Sequence, residues 1–243
     1  MPRWLPDLAG AWVFYSVLPA WPWPAPTFQR IARFAPWIGL LIGALQGLLW
    51  IGLSRLGWPA VACAPCVVAL GIQLSGGLHH DGLIDTADGL GAPADRRLEA
   101  MKDSRVGASG VLALAMVLLL QMGALVQLDA QAPVALCLAA FWGRVSPLWA
   151  MARFDYLRAD GTAGFHRHHG QPLQDGIPAV LALVVLALLI APMQLLIGAP
   201  VAVLLATVLG LKLGGHTGDS YGATVVLTEV FTLLLLALLI PAS

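Results

Sequence analysis

Charge is scarce in this sequence. Asp, Glu, Lys and Arg make up 11% of 243 residues, against about a quarter of an ordinary globular domain. A water-soluble globule of this length could not cover its surface with so few. Disorder is excluded as well, because disordered chains are rich in charge and poor in aliphatic residues, whereas 59% of this chain is hydrophobic. With a mean hydropathy of +0.82, the class that remains is an integral membrane protein. Neither sign of charge is in excess: 13 Lys and Arg balance 13 Asp and Glu, so nothing calls for nucleic acid or a polyanionic partner. Cysteine is sparse too. Cys63 and Cys66 form a C-x-x-C in an apolar run, with no second Cys pair and no nearby His. A zinc or redox reading lacks its partners, and packing residues are expected.

Long uncharged runs are plentiful. Stretches near the ~20 residues that cross a bilayer fall at roughly 36–54, 60–78, 107–128, 132–152, 177–193, 195–213 and 223–241. The expected fold is all-α, a polytopic transmembrane helical bundle of about seven spans in one integral membrane domain covering 1–243. The range is six to eight, because Pro192 to Gly198 reads as either a turn or a kink. Near the N-terminus, Pro19, Pro22, Pro24 and Pro26 break the first apolar run, which excludes a signal peptide. The Trp-rich run from Trp4 to Trp23 suits a segment lying at the membrane interface, in contact with lipid.

Basic residues set the orientation. Arg30 and Arg33 precede the first span; Arg96, Arg97, Lys102 and Arg105 follow the second; Arg153, Arg158 and Arg167 follow the fourth; Lys212 ends the sixth. The opposite connections hold Arg55 and Asp129 alone. Positive-inside bias therefore places the N-terminus and three polar loops, at about 79–106, 153–176 and 212–222, in the cytoplasm. All six His residues fall in these loops, and ten of the 26 charged residues lie between Asp81 and Arg105. A scaffold nearly free of charge has gathered its titratable groups on one face.

Within the first loop, Asp81, Asp85 and Asp88 lie at i, i+4 and i+7. On a helix they share one face, within an arc of roughly 60°. Three carboxylates on one stripe repel each other unless a cation neutralises them, and an all-oxygen set points to Mg²⁺ or Mn²⁺. The bland alternative is a solvated acidic loop with Asp residues capping helices. The abutting apolar span and the basic bias of this face favour the metal. Further along, Lys102, Asp103, Ser104 and Arg105 precede a helix start at Gly107 and Gly110, a position suited to a phosphate.

The third loop, Gly214-Gly215-His216-Thr217-Gly218-Asp219, combines close backbone approach with a ligand or base at Asp219 and His216. Glu229 lies inside the last span, where an acid is a functional candidate and a further metal ligand. Arg144, inside the fourth span, is the nearest type of cation to neutralise a buried acid. The middle loop, with His166, Arg167, His168 and His169, could hold an anionic substrate or touch the membrane surface.

Three separated motifs carry a resemblance. Gly76-Gly77-Leu78-His79, Asp81-Gly82-Leu83, Asp85, Asp88-Gly89 and Met101-Lys102-Asp103-Ser104-Arg105 form the first. Gly214 to Asp219 with Gly222-Ala223 and Glu229 form the second, and Ile31-Ala32-Arg33-Phe34-Ala35-Pro36 with Gly39 and Gly43 the third. Together they resemble the cobalamin 5′-phosphate synthase family, also called adenosylcobinamide-GDP ribazoletransferase, from about residue 12 to 235. His80 departs from the pattern, where an apolar residue is expected.

The resemblance implies a Mg²⁺-dependent enzyme of the bacterial inner membrane. It joins α-ribazole, or its 5′-phosphate, to adenosylcobinamide-GDP and releases GMP. Mg²⁺ is then expected on Asp81, Asp85 and Asp88, with Asp219 and Glu229 as further ligands. Lys102 and Arg105 are expected at the leaving phosphate, with Asp88 as base and His216 as second choice. His79, Asp103, Ser104, Arg167, Gly215 and Thr217 are expected to touch substrate. A homo-oligomer is left open. A CDP-alcohol phosphotransferase is the nearest alternative: Asp85 to Ala92 fits the opening of that motif, but Pro93 stands where its Arg belongs and the next two Asp are absent. A cation-coupled transporter would need acids and broken helices near the bilayer midplane.

Overall fold

The computed structural model describes residues 2, 4–158, 170–190 and 193–239. It is helical: α1 Leu5–Tyr15, α2 Ala35–Arg55, α3 Ala60–Leu74, α4 Leu78–Gly91, α5 Arg97–Ala100, α6 Ala108–Leu128, α7 Ala132–Arg153, α8 Pro172–Ile190, α9 Gly198–Leu213 and α10 Gly218–Leu239. Among the described residues, extended pairing is limited to one parallel bridge between Tyr156 and His216. Helices α1, α2 and α7 each carry Pro in their first turn, where its fixed φ suits a helix and its missing N–H costs nothing.

Among the described residues, five helical stretches have the length and hydropathy of membrane spans, and the bent pair α3–α4 makes a sixth. One of the five, Ala108–Arg153, is 46 residues long and reverses at Asp129, whose φ is 42°. Both of its ends lie near the same face of the bundle, since Gly107 touches Asp88 and the chain just after Arg153 pairs with His216. Each half is about 30 Å long at 1.5 Å per residue, so α6 leaves that face and α7 returns to it. Counted as two passes, it brings the number to seven.

Apolar side chains gain little from each other in lipid, so close packing must hold the helices together. Gly39, Gly43 and Gly47 form a stripe on α2 that presses against α7. A Cβ at Gly43 would sit 2.6 Å from the Leu136 carbonyl oxygen, and one at Gly47 3.1 Å from Pro133 Cα. Inside α7, Pro147 cannot donate to the Gly143 carbonyl four residues earlier. The Ser146 hydroxyl does so instead, at 2.7 Å. The buried core joins α2, α3, α6, α7 and α10 through Trp50, Val67, Leu125, Leu136 and Leu233.

Three sequence expectations change. The apolar run predicts a second span at 60–78, with a loop after it. Instead α3 stops at Leu74, Gly76 and Gly77 take positive φ of 62° and 72°, and the chain turns by 92° into α4. Residues 78–91 therefore form a helix packed into the bundle. Consecutive left-handed residues make this corner, and glycine adopts that conformation without a Cβ clash. The last span begins at Gly218, not 223, so the second half of the third loop, from Gly218 to Gly222, is the start of α10. Likewise α8 begins at Pro172, five residues before its expected start.

Candidate active site

The site is built where α4 crosses the start of α10. A Cβ on Gly82 would lie 2.5 Å from the Asp219 carbonyl oxygen, and one on Gly222 would lie 3.2 Å from His79 Cα. Two glycines thus let the backbones touch, which brings the carboxylates flanking Gly82 toward Asp219. Asp85 is within electrostatic reach of Asp219, Asp81, Arg158 and Asp88. Asp81 is exposed, while Asp85 and Asp219 are half-buried.

Arg158 holds the opposite edge. Its Nη1 lies 2.7 Å from Asp219 Oδ2, and its Nη2 donates to the Met101 carbonyl at 3.1 Å. Two backbone bonds make this possible: Leu157 N–H to the His216 carbonyl at 2.8 Å, and His216 N–H to the Asp155 carbonyl at 2.9 Å. One guanidinium therefore links the segment after α7, the start of α10 and the Met101 turn.

Beside the carboxylates opens a cavity of about 160 Å³, with Asp81, Asp219, His79 and Arg144 among its polar lining and Phe14, Tyr15, Ala32, Ala35 and Leu148 among its apolar lining. Arg144 also pairs with Glu229 and donates to the Ala140 carbonyl at 3.0 Å. This ion pair separates the cavity from a second polar pocket containing Gln46, Ser75, His80 and Gln121. Glu229 is thus engaged with Arg144, while Asp81, Asp85 and Asp219 gather at the crossing. His79 is buried, and its Nε2 has no hydrogen-bond partner.

Asp88 faces elsewhere. Its carboxylate accepts the backbone N–H of Gly107 at 2.7 Å and of Gly110 at 2.8 Å. Those donors open α6, and the absence of side chains at both glycines admits the carboxylate. The anion expected at this helix start is therefore the protein's own Asp88. Nearby, Lys102, Asp103, Ser104 and Arg105 form an exposed turn. Asp103 accepts from Arg105 Nε at 3.0 Å and Nη2 at 2.6 Å, and these bonds hold its carboxyl down to about 2.

His216 is fully buried. Its Nε2 lies 3.0 Å from the Ala206 carbonyl, which can only accept, so the proton sits on Nε2. Its Nδ1 is left as the acceptor, 2.9 Å from Ser220 Oγ. Burial depresses the imidazole to about 4. Both ring nitrogens serve the fold, outside the cavity. Thr217 is also buried: its N–H donates to Ser220 Oγ at 2.8 Å, while the Ser220 N–H donates to Thr217 Oγ1 at 3.2 Å. This reciprocal pair caps α10. Gly215 packs against the Asp155 carbonyl. Arg167, with His166, His168 and His169, lies outside the described residues.

Among the described residues, no three His, Cys, Asp or Glu side chains close into a complete metal-ligand set. Arg158 and the cavity walls from α1 were missed from the sequence. Arg158 read as one more positive-inside residue, and its distinguishing signal is a backbone pairing to residues nearly sixty positions away. Phe14 and Tyr15 read as interfacial aromatics.

The fold and this crossing define a class: a polytopic membrane protein with an acidic centre and an adjoining cleft at one end of its bundle. The family model for cobalamin-5-phosphate synthase matches residues 7–237. An adenosylcobinamide-GDP ribazoletransferase of Prochlorococcus marinus (strain MIT 9303) is 57% identical over 258 aligned positions, covering 100% of this chain and 99% of that one. One from strain SARG is 44% identical, with 100% and 99% covered. Another, from Trichormus variabilis, is 38% identical, with 96% and 97% covered. No solved structure matches the chain. The chain belongs to the cobalamin-5-phosphate synthase family.

Proposed function

We propose that the chain catalyses the transfer named for its relatives: α-ribazole, or its 5′-phosphate, is joined to adenosylcobinamide-GDP, giving adenosylcobalamin or its 5′-phosphate, and GMP. The observation that carries this reading is the family match across residues 7–237. The chemistry of the crossing supports it. A ribose hydroxyl attacks the phosphorus that bears the cobinamide, and the bond to the bridging oxygen of the pyrophosphate breaks. GMP leaves with that electron pair, and the hydroxyl's proton departs through the solvent-open mouth beside Asp81.

Such a displacement asks a protein mainly for positioning and for neutralisation of phosphate charge. Asp81, Asp85 and Asp219 offer hard carboxylate oxygens at the crossing beside the cavity, which suits Mg²⁺, an ion commonly held by a few carboxylates and completed by phosphates and water. Bound there, Mg²⁺ would neutralise the pyrophosphate. Arg158 stands at the edge of the same cluster and tethers the Met101 turn, which carries Lys102 and Arg105, the cations we assign to departing GMP. Asp88, occupied at the start of α6, sets the position of that helix. We place this face in the cytoplasm of a bacterial inner membrane, on the bias of basic residues toward it.

The test is direct. Purified protein in liposomes, given adenosylcobinamide-GDP and α-ribazole, is expected to form cobalamin and GMP in equal amounts with Mg²⁺, and neither with a chelator. Absence of product with Mg²⁺ present would overturn the reading. Activity that persists with the chelator would remove the metal alone. A CDP-alcohol phosphotransferase is not favoured by the family match, and product formation without an ion gradient would separate an enzyme from a transporter.

A further inference from the structure

Transfer chemistry uses the carboxylate end of the cavity and leaves its other end without a task. That end is walled by Phe14 and Tyr15 from α1, Ala32 and Ala35 at the entry to α2, and Leu148 from α7. Ala32 and Ala35 are buried at 3% and 6% exposure, so the space beside them exists because their side chains are short. Leu148 is buried at 4%. The result is a partly aromatic, apolar slot continuous with Asp81 and Asp219.

Size decides what the slot can take. Drug-sized ligands need pockets of roughly 300 Å³ or more, whereas an apolar cavity of about 150 Å³ takes up a single small aromatic molecule. The whole cavity, carboxylate end included, is about 160 Å³, too small for a corrin ring or a guanine nucleotide diphosphate. It matches a flat, weakly polar aryl group that enters edge-first and leaves its substituent at the mouth. Among the reactants of the proposed transfer, α-ribazole carries such a group, its benzimidazole base, next to the ribose whose hydroxyl must reach the carboxylates.

We propose that the apolar end of this cavity is the subsite for the aryl base of the acceptor nucleoside, with Ala35 and Leu148 setting the size of base accepted. The inference rests on the transferase reading. The base lies between α1 and α7, the ribose points at Asp81 and Asp219, and the donor's corrinoid and guanosine remain outside on the membrane face. The N-terminal helix thereby has a role in acceptor recognition.

The experiment measures KM for α-ribazole and for adenosylcobinamide-GDP on the full-length wild type and two variants. Ala35→Leu fills the slot and is expected to raise KM for α-ribazole by roughly tenfold or more, leaving the donor KM within about twofold. Leu148→Ala enlarges it and is expected to shift preference toward a ribosyl acceptor with a tricyclic base. A rise confined to the donor KM would assign the slot to the donor and overturn the proposal. So would unchanged constants with Ala35→Leu in protein that elutes as a single folded species. If Ala35→Leu does not fold, Leu148→Ala decides: no change in base preference overturns the subsite. A wild type that makes no product refutes the transferase reading instead, a result separable from every variant outcome.

Discussion

Asp88 offers the sharpest test of the site, because its sequence position and its structural position assign it different work. On the carboxylate stripe it is a metal ligand or base. In the fold both oxygens accept backbone N–H groups from Gly107 and Gly110, at 2.7 and 2.8 Å. Asp88→Asn keeps one acceptor, turns an NH₂ toward the other donor and removes the charge facing the helix start. A hydrogen bond to a charged group contributes about 1.5–3 kcal/mol, and the helix-end interaction adds about 0.3–1 kcal/mol. Losing one bond and the charge should therefore cost about 2–4 kcal/mol, lowering Tm by roughly 4–16 °C for a chain of this size. The Mg²⁺ concentration giving half-maximal GMP release should stay where it is in the wild type. Asp81→Asn should do the reverse, with Tm nearly unchanged and Mg²⁺ activation displaced to higher concentration. Thermal unfolding in detergent and Mg²⁺ titrations of GMP release, run on both variants, separate the two roles. An Asp88→Asn protein with wild-type Tm and a tenfold higher Mg²⁺ requirement would refute the capping argument.

Three further outcomes are expected. Gly82→Ala places a methyl 2.5 Å from the Asp219 carbonyl oxygen; overpacking of this kind costs about 1–3 kcal/mol, and kcat should fall more than Tm suggests because Asp81, Asp85 and Asp219 are driven apart. Leaving Arg144 or Glu229 without its partner in the bundle interior should cost about 3–5 kcal/mol. The double variant Arg144→Met with Glu229→Leu should recover much of that in the same unfolding assay, and no recovery would argue against the pairing. His216 titrates at about 4 in the fold against 6.5 when unfolded, so the unfolded chain binds the extra proton between those values. Its contribution to stability is complete above pH 6.5 and is lost as pH falls toward 4, by about 3 kcal/mol in all. His216→Gln should flatten that acid limb of a Tm-against-pH curve, and an unaltered limb would count against the assignment.

What the sequence made legible follows the range of each physical signal. Membrane spans are local: twenty apolar residues in a row identify themselves, and the regions around α2, α6, α7 and α9 were located to within a few positions. The acidic face of residues 81–88 is also local, since helical spacing alone aligns three carboxylates. Division of labour along that face is not local. Asp88 leaves the set because the α6 N-terminus, some twenty residues on, offers it two donors. Asp219, already a candidate from its own motif, meets that face because Gly82 and Gly222 permit a backbone contact between helices distant in sequence. The corner at Gly76-Gly77 hides for a related reason: a glycine pair in an apolar run fits a span interior as well as a 92° turn, and α4 is recognised as a packed helix only through its contact with α10. Glycines of the motifs thus serve helix against helix, at Gly82, Gly107, Gly110 and Gly222. That dual use explains why the acidic residues and the glycines occur together: in a bundle with little hydrophobic drive between helices, the contacts that hold α4, α6 and α10 together are the contacts that position the carboxylates.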